Sequence, residues 1–234
     1  MALVERKVRK FLNKKIQQLN DIVADLDTLV TEMGLEYYRV SIFGSARIKQ
    51  DTPEYKQVYD LAFQLAGRGV DIVTGGGPGL MEAANLGAKQ GGNQSRSFGL
   101  PIQLPFETDA NSHLDVKYMH RRFSTRLDEF MRISHAVIVT PGGIGTVLEL
   151  FYTWQLLQVE HISSRPIFLL GREFWAGLLD WLRAHPLKGK LLDEKDLLKL
   201  TVVDSVEELI RYLEPDIQEF HRRAKEEKLA AAKK

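Results

Sequence analysis

Three glycine-rich stretches and two charged side chains carry the chemistry that can be read from this chain of 234 residues. Pro141-Gly142-Gly143-Ile144-Gly145-Thr146 follows the apolar run His135 to Val139, and Glu149 comes next among apolar neighbours. Gly75-Gly76-Gly77-Pro78-Gly79 follows Val70 to Val73 and leads into Leu80-Met81. Gly44-Ser45 follows Tyr38 to Phe43. Glycine lets backbone amides approach a ligand and accepts positive φ. A helix start adds unpaired N–H groups and a partial positive charge. Strand, glycine loop and helix in succession therefore form an anion site, commonly for phosphate. The Thr146 hydroxyl adds a donor. The dinucleotide fingerprint fails in both loops, because its third glycine position is Leu80 in one and Leu148 in the other. No Gly-Lys-Ser/Thr closes either loop, so the triphosphate-binding signature fails as well. A single phosphate, as on a mononucleotide, fits better than NAD or ATP.

Glu149 lies about one turn into the helix opened by that last loop, flanked by Val147, Leu148, Leu150 and Phe151. Such company suits a carboxylate facing a cleft. Arg126 belongs to RRFSTRLDEFMRIS, where Phe123, Leu127, Phe130 and Met131 recur as a buried stripe. It flanks the stripe, where a guanidinium can grip phosphate or ribose oxygens bidentately. Arg122, one turn earlier on the same side, is its substitute.

These groups need a frame. From residue 37 onward, short apolar runs alternate with amphipathic stretches. Strands are expected at 38–43, 70–73, 97–100, 135–139, 166–170 and 200–203. Helices are expected at 53–68, 80–90, 117–134, 146–159, 173–184 and 206–213, with an irregular loop at 101–116. Ser205 and Glu208 form a capping box. This order predicts an α/β fold with a doubly wound parallel sheet covered on both faces. Ligands of such sheets bind beyond the carboxyl ends of the strands, which is where all three glycine loops fall. Residues 1–36 form a helical extension with apolar residues at helical spacing, packed on the main domain or on another subunit. Residues 37–214 form the nucleotide-binding and catalytic domain, and 215–234 a charged helical tail.

Composition narrows the function. Hydrophobic residues make up 44% and charged residues 27%, which is globular. A net charge of +1 gives no general field for nucleic acid or membrane. Cysteine is absent, which removes disulfide and thiolate chemistry and suits a cytoplasmic setting. No apolar run is long enough to span a membrane. The scattered histidines show no metal-ligand spacing, so neither metal nor cofactor is expected.

GGGPGLMEAAN, followed by R…PGGIGTVLE, resembles the LONELY GUY family. The resemblance implies a modified Rossmann-like fold over residues 37 to about 184. It also implies hydrolysis of the N-glycosidic bond of a nucleoside 5′-monophosphate, AMP or a cytokinin-like nucleotide, to free base and ribose 5-phosphate. The family's acid falls on Glu149, its arginine on Arg126, and its phosphate loops on Gly75–Gly79 and Gly142–Thr146. Members are usually dimers, so a homodimer or larger homo-oligomer is implied. The chain departs from many members at Leu127 and Leu148, which bears on the base and on the efficiency of hydrolysis more than on the phosphate site. By this reading Glu149, ionised near its helix start, stabilises an oxocarbenium-like transition state or activates water. Arg126 orients it. The acid that protonates the base is open among Asn85, His120 and Asp128. The alternative reading is a carrier that holds a nucleotide or molybdenum cofactor in the same cleft without cutting it.

Overall fold

The computed structural model describes residues 9–17, 19–20, 23, 37–92, 95–103 and 110–231. The chain divides into two units, Met1–Glu36 and Tyr37–Lys234. In the first, residues 9–17, 19–20 and 23 are helical. The rest of the expected N-terminal helix lies outside the described residues.

The second unit is built on a seven-stranded sheet in the order β4-β3-β2-β1-β5-β6-β7. The strands are β1 (Tyr38–Phe43), β2 (Val70–Thr74), β3 (Ser97–Gly99), β4 (Val116–Lys117), β5 (Ala136–Val139), β6 (Ile167–Leu170) and β7 (Leu200–Val203). Every pairing is parallel. The helices are α1 (Pro53–Ala66), α2 (Leu80–Gly91), α3 (Phe123–Ile133), α4 (Ile144–Gln158), α5 (Arg172–Leu182), α6 (Glu194–Leu197) and α7 (Val206–Ala231). The sheet divides two apolar cores. Val40, Ile42, Ile72, Ile138 and Phe168 face one with α1, α2 and α7, and Phe43, Val73, Val137, Val139 and Leu169 face the other with α3, α4 and α5. That alternation follows the two-residue repeat of a strand. Burial on both faces explains why the strands are continuous apolar runs.

Strand order sets the position of the site. The chain moves outward from β1 through β2 and β3 to β4, then returns to lay β5 on the other side of β1. Ligands of such sheets bind in the crevice at that reversal. Here the loops after β1 and β5 meet: Ser45 N–H donates to the Pro141 carbonyl at 3.1 Å, and Thr140 N–H to that of Phe43 at 2.8 Å.

Three expectations needed correction. The helix expected from residue 117 starts at Phe123. The stretch before it instead pairs with the sheet, Val116 and Lys117 against Phe98 and Gly99, and His120 against Ile102. The helix expected to end at Leu213 continues through Pro215 to Ala231. Ile217 and Phe220 pack on the core beyond the proline and hold the helix together. The Ser205–Glu208 cap forms with one change: Glu208 N–H donates to Ser205 Oγ at 3.1 Å, but the Glu208 carboxylate accepts from Asp204 N–H, one residue further back, at 3.0 Å.

Candidate active site

A cleft of about 450 Å³ opens at the β1/β5 reversal, within the size range of small-molecule sites. Gly44, Ser45, Ala46 and Arg47 line it from the loop after β1, and Gly77 and Met81 from the turn into α2. Ile102 contributes from beyond β3, Phe123 and Arg126 from α3, and Gly143, Ile144, Gly145, Thr146 and Glu149 from α4.

The start of α4 leaves its first amides without a side-chain cap. Gly143 is the N-cap of α4 and offers no side-chain cap to the first turn. An added Cβ would meet nothing within 4 Å at Gly143 or at Gly145. Packing of the protein therefore does not require glycine there; its effect is to leave bare backbone facing the cleft. Gly142 is different, because a Cβ would fall 2.1 Å from Thr146 Oγ1. That glycine lets Thr146 fold under the loop, where its residue is buried.

Arg126 and Glu149 form the charged centre. Arg126 Nη1 donates to Glu149 Oε1 at 3.1 Å, and Arg126 Nε donates to the Leu100 carbonyl at 2.6 Å. The guanidinium carbon also stands 5.2 Å from the Phe130 ring centroid. A Cβ on Gly75 would fall 2.2 Å from Arg126 Nη2. The arginine is thus held by the end of β3, by α4, by its own helix and by the space that Gly75 leaves. Glu149 is 8% exposed. Burial pushes its carboxyl up to about 7, against the opposing attraction and hydrogen bond of Arg126. The helix start was expected to favour the ionised form; burial instead favours the protonated one. Glu149 is the sixth residue of α4, past the first turn where the helix field is felt, so desolvation dominates.

The remaining expected residues stand behind the cleft lining. Gly79 has φ +69° and approaches the Ser45 carbonyl so closely that a Cβ would meet it at 2.4 Å. Leu80 is fully buried, and its N–H donates to that same carbonyl at 2.9 Å, so this amide is already occupied. Gly76 packs beside Pro101 and Gly99. Pro141 gives its carbonyl to Ser45. Arg122 is the exposed N-cap of α3 and is not among the residues lining the cleft.

Sequence reasoning missed Arg47, Phe123, Ile102, Ala46 and Ile144 as lining residues. Phe123 was expected in the buried stripe, yet it is 49% exposed. It is the first residue of α3, so it overhangs the cleft at the helix end. Arg47 had a legible signal, a cation two residues beyond Ser45 on the same rim. The proposed acids do not reach the lining. Asn85 is fully buried; its Oδ1 accepts from Thr74 Oγ1 at 2.6 Å and its Nδ2 donates to Ser97 Oγ at 2.8 Å, which makes it a structural knot. Asp128 accepts from the Tyr152 hydroxyl. His120 is half-buried, and burial lowers its pKa. His135 packs between Tyr38 and Phe220 and accepts from Arg39 N–H at 3.0 Å, a packing role.

Residues 81–213, more than half of the chain, match the family described as possible lysine decarboxylase, the LONELY GUY proteins. The chain belongs to this family. One relative is the pyrimidine/purine nucleotide 5′-monophosphate nucleosidase of Escherichia coli K12, 36% identical over 127 residues, which cover 50% of this chain and 28% of that protein. Another is a cytokinin riboside 5′-monophosphate phosphoribohydrolase of Arabidopsis thaliana, 29% identical over 153 residues, 62% of this chain and 68% of that one. The chain therefore spans less than a third of the length of the bacterial relative. Among solved structures, the molybdenum cofactor binding protein of Rippkaea orientalis shares the fold at 21% identity and a TM-score of 0.58, over 78% of this chain and 99% of that one. The molybdenum cofactor carrier protein of Chlamydomonas reinhardtii does so at 17% identity and 0.53, over 76% of this chain and 97% of that one. Among the described residues, no helix is long and apolar enough to cross a membrane.

Proposed function

We propose that this family member hydrolyses the N-glycosidic bond of a nucleoside 5′-monophosphate, releasing free base and ribose 5-phosphate, in the cytoplasm. The observation that carries the reading is one cleft holding both the bare helix start of α4 and the 3.1 Å Arg126–Glu149 pair. Residues 144–146 precede Glu149 by three to five positions, about 4.5–7.5 Å along the helix axis. That is the reach of a ribose 5-phosphate from its phosphate to its anomeric carbon. The relatives named as monophosphate nucleosidase and phosphoribohydrolase support the same chemistry.

The residues divide the work. The amides at the start of α4 and the Thr146 hydroxyl take the 5′-phosphate, aided by the Arg47 guanidinium on the rim. Binding energy from the phosphate then positions the reacting sugar. As the C–N bond lengthens, positive charge grows on the sugar beside Glu149. With its pKa near 7, Glu149 is matched to taking a proton from the attacking water at neutral pH. Arg126 orients the carboxylate and keeps its ionised form accessible despite burial. Phe123, Ile102 and Met81 offer an apolar wall for the base.

Incubation with a panel of nucleoside monophosphates, AMP first, followed by assay of free base and ribose 5-phosphate, tests the reading. Cleavage that requires the 5′-phosphate is the expected outcome. A nucleotide that binds and is recovered intact would move the assignment to the carrier alternative.

A further inference from the structure

The glycine turn after β2 is held from behind by side chains that the proposed chemistry does not use. Asn111 belongs to the connection between β3 and β4 and is not among the residues lining the cleft. Its backbone N–H donates to the Gly76 carbonyl at 2.8 Å. Its Nδ2 donates to the Gly77 carbonyl and to Asn85 Oδ1, both at 2.9 Å. Its Oδ1 accepts from His113 N–H at 3.1 Å, which fixes the orientation of the amide. Thr74, the last residue of β2, closes the network. Its hydroxyl donates to Asn85 Oδ1 at 2.6 Å and accepts from Gly76 N–H at 2.9 Å. Asn85 ties the group to β3 by donating from Nδ2 to Ser97 Oγ at 2.8 Å. Groups from β2, α2 and the β3–β4 connection thus grip successive peptides of one turn. A connected and satisfied network of this kind rigidifies what it holds.

The front of the turn is covered by side chains. A Cβ on Gly75 would collide with Arg126 Nη2 and Met81 Sδ, and one on Gly77 with Met81 Cε. Arg126 and Met81 therefore lie in the room that these glycines leave. The Leu80 amide behind them already donates to the Ser45 carbonyl. Gly143 and Gly145 differ, because an added Cβ there meets nothing. One glycine loop of the cleft is open to a ligand, and the other is filled by protein. The filled turn supplies the third support of the guanidinium: Nε is fixed by the Leu100 carbonyl, Nη1 by Glu149 and Nη2 by contact with Gly75.

We infer that Asn111 is a positioning residue: with Thr74 and Asn85 it fixes the Gly75–Gly77 turn as the seat of the Arg126 guanidinium, and so aims Nη1 at Glu149. The effect on turnover rests on the proposed hydrolysis; the seat itself does not, so two readouts separate them. The first is the Arg126 Nε–H resonance of the isotope-labelled protein, identified by its loss in Arg126→Lys. Asn111→Asp keeps the shape but sets a carboxylate oxygen against the Gly77 carbonyl and Asn85 Oδ1. Asn111→Ala, the milder change, only removes the donors. In each the resonance shifts, and its exchange with water quickens by about tenfold or more. In Ser95→Ala, which deletes a buried hydrogen bond to the Ala66 carbonyl at the other end of the sheet, the resonance stays in place. Wild-type position and exchange in folded Asn111→Ala would overturn the inference. The second readout is cleavage of AMP. In Asn111→Ala, kcat falls about tenfold or more while KM changes less than about threefold. The same substitution adds little further loss in an Arg126→Lys background, because the group it acts through is gone. A raised KM at unchanged kcat, or an equal loss in both backgrounds, would overturn the assignment to Arg126. A wild type that leaves AMP intact would overturn the hydrolysis, and the resonance would still decide the seat.

Discussion

Replacing Glu149 with glutamine keeps the shape of the side chain and an oxygen for Arg126, and removes only the ability to ionise. In the wild type, burial moves the carboxyl from 4.5 to about 7. At about 1.4 kcal/mol per pH unit, ionising this group in the folded protein costs about 3 kcal/mol. The sign follows from proton binding. Between pH 4.5 and 7 the folded state holds this proton more tightly than the unfolded chain, so its contribution to stability falls as pH rises. Below that window both states are protonated and the contribution is complete; above it the contribution is gone. The amide has no such dependence. In urea unfolding, the stability of E149Q relative to wild type should therefore rise by about 3 kcal/mol between pH 4.5 and pH 8. Over the same range, wild-type kcat/KM for AMP should climb through a limb near pH 7, and E149Q should lose at least about a hundredfold in turnover while still binding nucleotide. Greater stability with less activity is the pattern of a group retained for function. A stability difference flat with pH, or an activity limb near 4.5, would show that the carboxylate is open to water and refute the argument.

Gly75→Ala pushes a methyl group into the place of Arg126 Nη2; turnover should fall more than tenfold while binding of ribose 5-phosphate is largely kept, as steady-state kinetics and calorimetry would show. Gly145→Ala meets no protein atom, so thermal unfolding should be unchanged while KM for AMP rises tenfold or more. Asp71 is fully buried and accepts from Arg39 Nε and Arg96 Nη2; Asp71→Ala leaves the buried Arg39 without that partner and should destabilise by about 3–5 kcal/mol in denaturant titration. The His135 ring, held down to about 4 mainly by burial, should stay neutral in an NMR titration until well below pH 6. Because the folded value lies below the ordinary 6.5, this histidine withdraws stability as pH falls from 6.5 toward 4.

Much of this molecule could be read from its residues because the sheet is buried on both faces. The central strands are then apolar runs, and glycine follows the carboxyl ends of β1, β2 and β5, at Gly44, Gly75 and Gly142. Local pattern misled where distant contacts overruled it. Residues 117–122 have a helical pattern, but pairing with β3 and Ile102 drew them into the sheet. The helix expected to end at Leu213 runs on past Pro215, because Ile217 and Phe220 pack on the core beyond it. At the site, the sequence singled out Arg126 and Glu149 by their neighbours. It could not show that Arg126 reaches the Leu100 carbonyl, or that Gly75 keeps room for the guanidinium. Nor could it show the protonation balance of Glu149, which depends on desolvation by segments far away in the chain.

The cleft draws on the chain at residues 44–47, at 77 and 81, at 102, at 123 and 126, and at 143–149. No single βα unit owns the reacting centre. A chain refolding from denaturant should regain helix signal early, from local contacts, and catalytic competence only at the end, when β5 has docked beside β1 and closed the most non-local pairing in the sheet. Enzyme turnover would then serve as a late clock for the folding of this protein, lagging circular dichroism in the same sample.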